Sequence, residues 1–174
     1  MNVSGPGTIL ALSPDGTRIA VTVRGADGRL RLATRRLDQS QMTTLAGTEN
    51  AGSPFFSSDG QWIAFFADGK LRKIAVQGGV PVTLAEAGTF ANGPLARFPS
   101  GSWGDDGNLV ATLNPGAGLM RIPSAGGSPA PLPGLKKADA VIDSWPQVLP
   151  ASDPMPSSSF PTHSSIAGAG NLPL

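Results

Sequence analysis

"SPFFSSDGQWIAFFADGKLRKIAVQGGVPVTL", residues 53–84, is the stretch whose reading decides the fold. Short apolar runs are punctuated there by Asp59-Gly60, Asp68-Gly69 and Gly78-Gly79. Glycine accepts the positive φ that tight hairpins need, so each pair reads as a chain reversal. The stretch predicts four strands, near 53–57, 61–67, 70–76 and 80–85. In "QWIAFFA" (61–67) Trp62, Ala64 and Phe66 share one face while Ile63 and Phe65 share the other. A strand apolar on both faces is expected to be covered on both. "KLRKIAV" (70–76) alternates less cleanly and carries charge, as a strand nearer the rim should.

The pattern recurs on either side. Asp15-Gly16, Asp59-Gly60 and Asp106-Gly107 are 44 and 47 residues apart. Four positions after each Asp stands Ile19, Ile63 or Val110, and five positions after stand Ala20, Ala64 and Ala111. Three positions before stand Leu12, Phe56 and Trp103. Farther on, "KLRKIAVQGGVPVTL" from Lys70 lies over "GLMRIPSAGGSPAPL" from Gly118 at an offset of 48, matching Gly78-Gly79 with Gly126-Gly127. The first unit, through "DGRLRLATRRLDQSQMTTL" (27–45), matches in outline but lacks the Gly-Gly pair. Strand-and-turn units repeating every 40 to 50 residues or so are the signature of propeller blades. The three small alanines are expected to let neighbouring sheets approach closely.

The expected fold is therefore all-β: a partial β-propeller of about three four-stranded antiparallel blades plus one starting strand, with a disordered C-terminal tail. The boundaries are an extension at 1–7, blades near 8–52, 53–99 and 100–142, and the start of a fourth at 143–150, "DSWPQVLP". There Pro146 takes the place of Pro54 and Val148 that of Phe56, but Ala151 and Ser152 stand where the turn Asp and Gly should fall. The remaining stretch, 151–174, is Ser/Pro-rich without strand-like alternation. It reads as a disordered tail, as the product of a frame change or truncated gene, or as an irregular loop packed on the sheets.

Bulk composition agrees. Charged residues are 14% of the chain, below the usual quarter or so. The 23 glycines and 17 prolines suit many short strands. Net charge is +1, and the basic pairs Arg35-Arg36, Arg72-Lys73 and Lys136-Lys137 make no basic field, so nucleic acid is not an expected partner. There is no cysteine, and no apolar run is long enough to span a membrane. The opening residues carry no signal-peptide pattern, so compartment stays open.

"LSPDGTRIAV" (12–21) resembles the WD40-like repeat of the TolB type, whose core is a Ser-Pro-Asp-Gly turn followed by a short apolar strand. "FSSDGQWIAF" (56–65) has Ser58 for the proline, and "WGDDGNLVAT" (103–112) has Asp105. The longer run "LAGTENAGSPFFSSDGQWIAFFADGKLRKIAVQGG" (45–79) looks like the sensor propeller that follows the kinase domain and membrane segment of some bacterial serine/threonine protein kinases. The resemblance implies a module of such a receptor, or a periplasmic accessory protein like TolB.

The chain itself shows no kinase motif, no nucleophile elbow and a single histidine, His163, so no catalytic residue, cofactor or metal is expected. The acidic pair Asp105-Asp106 sits at the repeat's turn position and reads as a turn cap, as do Asp15 and Asp59. Trp62 and Trp103 stand at regular repeat positions and read as core. Propeller ligands meet the loops at one mouth of the channel. The longest such loop, 87–101, offers Phe90, Arg97 and Phe98 as a binding surface. The expected role is a non-catalytic interaction or ligand-sensing module whose partner is a protein or peptide. Missing blades or self-association are expected to cover its exposed end sheets.

Overall fold

Each Asp-Gly pair reverses the chain between two strands, and the strands assemble in the order they are made. The computed structural model describes residues 10–88, 99–114, 117–132 and 146–149; among them are twelve strands and no helix. The first sheet comprises β1 (Leu10–Leu12), β2 (Arg18–Arg24), β3 (Leu30–Arg36) and β4 (Thr43–Thr44). The second comprises β5 (Gly52–Phe56), β6 (Trp62–Ala67), β7 (Lys70–Ala75) and β8 (Val82–Glu86). The third comprises β9 (Gly101–Trp103), β10 (Asn108–Ala111), β11 (Met120–Pro123) and β12 (Ala130–Pro131). Every sheet is an antiparallel meander whose spatial order is its sequence order. Asp68 and Gly69, with φ of 51° and 71°, form the two-residue β6–β7 hairpin, whose twist matches the flanking strands.

Two apolar seams hold the sheets face to face. Ala20, Leu32 and Leu45 of the first blade meet Phe56, Ile63, Phe65 and Ile74 of the second. Ala64, Phe66, Leu71 and Leu84 of the second meet Leu109, Ala111 and Ile122 of the third. The middle sheet is thus covered on both sides, as the doubly apolar β6 predicts. Ile63, Phe65 and Ile74 are fully buried. Each contributes about 1.5–3 kcal/mol relative to an exposed position. Lys73 ties the second seam at its edge: its Nζ lies 4.6 Å over the Trp62 ring and donates a 2.7 Å hydrogen bond to the Ser124 carbonyl.

One repeat position needs correction. Ala20, Ala64 and Ala111 are all buried, but they do not face the same way. Ala20 and Ala64 point toward the following blade, whereas Ala111 points back into the second seam. The cause is a turn one residue shorter. In the first two blades Ser13 bonds to Arg18 and Ser57 to Trp62 across the reversal; in the third Gly104 bonds to Asn108. Trp103 consequently pairs with Leu109, where Phe56 pairs with Ile63 one step further from the aspartate. Because side chains alternate, a one-residue slip sends the whole strand to the opposite face. The structural counterparts of Ile63 and Ala64 are Leu109 and Val110.

Candidate functional site

β1, β5 and β9 are the first strands of their sheets, and β5 lies against both of the others. Between them runs a groove of about 340 Å³, closed on one side by Pro146 and Gln147. The segment 146–149 rests on β9, with the Val148 amide donating to Ser102 Oγ at 3.0 Å. It is not a strand among the described residues. Phe55, Phe56 and Trp103 supply ring surface, Leu10 and Leu12 supply exposed aliphatic surface, and Ser53, Ser58 and Ser102 supply hydroxyls. Among the described residues, no Asp, Glu, Lys, Arg or His lines the groove. Gly101 is required at its floor: a Cβ there would stand 2.5 Å from the Phe55 ring.

β5 enters the groove through a bulge. Gly52 pairs with Phe66, but Phe55, three residues on, pairs with Ala64, two residues back. The extra residue re-aims its neighbours. Ser53 lies within the bulge at φ 51°, and it is followed by Pro54. The other described non-glycine residues with positive φ are Asn50 and Asp68, types that visit this region readily; serine does so less easily. Ser53 is 6% exposed and lines the groove.

The turn aspartates have a structural job. Ser13 Oγ and the Thr17 amide and hydroxyl all donate to the Asp15 carboxylate, Ser13 foremost, and hold its pKa at about 2. Asp59 is lowered in the same way, first by Ser57 and then by the Gln61 amide. Asp106 is lowered by the Asn108 amide and side chain, with Arg121 adding a 2.6 Å ion pair. No group of three or more acidic or histidine side chains that could hold a metal occurs among the described residues.

Phe90, Arg97 and Phe98 lie outside the described residues, as do the tail 151–174 and Trp145. Trp103 packs on the second seam, as its repeat position predicts, and also lines the groove. Trp62 is half-buried beneath Lys73. The groove was missed because its residues are scattered over three repeats. The signal that was available is Ser53-Pro54 directly after Gly52, a sequence poorly suited to an uninterrupted strand.

Radial four-stranded meanders packed face to face, with first strands converging on a groove, define a β-propeller. The solved structures to which the chain is similar are propellers of varied occupation. A putative TolB from Agrobacterium tumefaciens is 16% identical, with a TM-score of 0.53 over 72% of this chain and 50% of that one. Virginiamycin B lyase from Staphylococcus aureus is 17% identical, with a TM-score of 0.50 over 76% and 43%. A nidogen/laminin complex structure is 16% identical, with a TM-score of 0.50 over 69% and 45%. The chain thus spans half or less of the length of these propellers. No protein-family model and no curated protein matches it.

Proposed function

We propose that the chain is a non-catalytic β-propeller module for protein interaction or ligand sensing, working through the groove between β1, β5 and β9. The observation that carries this reading is the groove's lining: aromatic rings, aliphatic side chains and hydroxyls, with no ionisable group among the described residues to serve as acid, base or metal ligand. Such a surface selects by shape and hydrogen bonding. A screen of neutral fragments and blocked peptides by NMR tests it. Saturable shifts at Phe55, Gly101 and Trp103 are expected, and binding confined to other surfaces overturns the reading.

A second reading makes the chain part of a bacterial receptor-type serine/threonine kinase, favoured by the resemblance of residues 45–79. A kinase domain and one membrane-spanning segment encoded upstream in the same frame would establish it; a different upstream gene would remove it. The Ser-Pro-Asp-Gly repeat and the likeness to the TolB fold favour a third role, a periplasmic accessory protein. That role requires an encoded export signal.

A further inference from the structure

We propose that Asp68-Gly69 is a covalent modification site, where the chain converts spontaneously to isoaspartate through a cyclic imide. Five Asp-Gly pairs occur in the sequence, beginning at Asp15, Asp27, Asp59, Asp68 and Asp106. In each, the glycine nitrogen can attack the aspartate side-chain carbon, Cγ. The new N–C bond closes a five-membered ring, the Cγ–OH bond breaks, and the hydroxyl leaves with the amide proton as water. Water then adds to either ring carbonyl. Opening at the main-chain carbonyl leaves the backbone running through the side chain, longer by one methylene. The water released is regained, so the net change is an isomerisation. Which pair reacts depends on whether the peptide unit between Asp and Gly can turn its nitrogen toward Cγ.

The fold restrains four of the pairs. The amides of Gly16, Gly28, Gly60 and Gly107 each donate to a carbonyl three residues back, at 2.9–3.2 Å. Attack at these pairs must first break that bond. Their carboxylates each accept two or more further hydrogen bonds, which lower all four pKa values and disfavour the protonated form that can lose hydroxyl. Asp68-Gly69 is different. It is the two-residue tip of the β6–β7 hairpin, and both residues are exposed. The ladder ends at the Ala67–Lys70 pair, so the peptide unit joining Asp68 to Gly69 lies beyond it. Among the described residues, neither the Gly69 amide nor the Asp68 carbonyl has a hydrogen-bond partner, and the carboxylate accepts one bond, from Asn50 Nδ2 at 2.9 Å. The Ala87 amide bonds to the Gly69 carbonyl at 2.7 Å, but that carbonyl belongs to the next peptide unit. Glycine adds no Cβ to hinder the approach. The consequence reaches the core. β6 and β7 place Phe65 and Ile74 in the first seam and Phe66 and Leu71 in the second, so an added methylene between them loosens the sheet that both seams share.

Ageing the full chain in mildly acidic ¹⁸O-labelled water tests the proposal. Electron-transfer fragmentation, which cleaves the Cα–Cβ bond of isoaspartate, measures the product at each pair. Asp68 should gain isoaspartate and ¹⁸O about tenfold faster than each of the other four, the factor that corresponds to breaking one ordinary hydrogen bond first. In urea the five rates should converge, because the difference comes from the fold. Asp68→Asn gives a second readout. Asn-Gly suits the same positive-φ turn, so this variant keeps the hairpin. The same attack then expels ammonia, and a gain in mass reports it. Asn92-Gly93 also deamidates, and fragment masses separate the two sites. The variant's rate at residue 68 should be nearly the same folded as in urea. Reaction at Asp68 no faster than at the other four pairs in the folded chain, or a Asp68→Asn rate that folding slows about tenfold, overturns the proposal.

Discussion

At the scale of single residues, the repeat's Ser-x-Asp-Gly turn acts as one hydrogen-bonded unit. Ser57 Oγ accepts the Trp62 amide at 2.9 Å and donates to Asp59, so one hydroxyl serves two partners. Ser57→Ala strands that amide and should cost about 1–3 kcal/mol in urea unfolding. Thr22 shows the opposite case. It is 5% exposed in the first seam, and its Oγ1 is buried without a partner. Thr22→Val should raise stability by about 1 kcal/mol, read as a higher urea midpoint at constant slope. The turn carboxylates give the molecule its acid sensitivity. Asp15 and Asp27 both fall from 3.8 to about 2, Asp15 chiefly through Ser13 and Asp27 chiefly through Arg31. Their folded pKa values lie below the unfolded ones. The stabilisation is therefore fully present above about pH 4 and is lost as pH falls toward 2. Thermal midpoints should be flat from pH 7 to 5 and drop below pH 4.

At the scale of elements, the test of register is a pair of substitutions one residue apart. Ala111 faces the second seam at 0% exposure, while Val110 faces the other side beside Ser102 and Arg121. Ala111→Asp buries an unpaired carboxylate and should prevent the third blade from docking. Val110→Asp should be tolerated, with the blade still packed by near-ultraviolet circular dichroism. A sequence alignment through the three alanines predicts the reverse. That contrast marks what the sequence could reveal. Strand number, turn positions and the doubly buried middle sheet were legible, because Asp-Gly pairs and alternating apolar runs act locally: the strands expected near 61–67 and 70–76 are Trp62–Ala67 and Lys70–Ala75. The reversal of β10 was not legible from the aligned aspartates. It turns on whether Gly104, lacking the hydroxyl of Ser13 and Ser57, closes the turn one residue early. The groove was likewise hidden, since Leu12, Ser53 and Trp103 become neighbours only after three sheets have stacked.

At the scale of the whole molecule, stability is distributed by position in the stack. A blade in a repeat architecture is held by its own hydrogen bonds and by the interfaces it shares with neighbours. The second sheet shares two such interfaces; among the described residues the first and third share one each. β6 is accordingly buried at every position from Ile63 to Ala67, whereas β4 and β12 are two-residue strands with both residues exposed. Opening a seam from outside exposes one apolar face, while freeing β6 requires both seams to open. Local opening should therefore begin at the rim strands and reach the middle sheet last. Native-state hydrogen exchange checks this directly. The amides of Ile63, Phe65 and Ile74 should exchange only through global unfolding and follow the full denaturant slope, while those of Thr43, Thr44 and Ala130 should exchange through small openings insensitive to denaturant. Phe65→Ala, which removes about 3–5 kcal/mol of buried contact, should then lower protection in the first and second blades together, because its ring belongs to the seam both share. Protection that was uniform over all three sheets would mean that they unfold as one unit, and would overturn a stack held seam by seam.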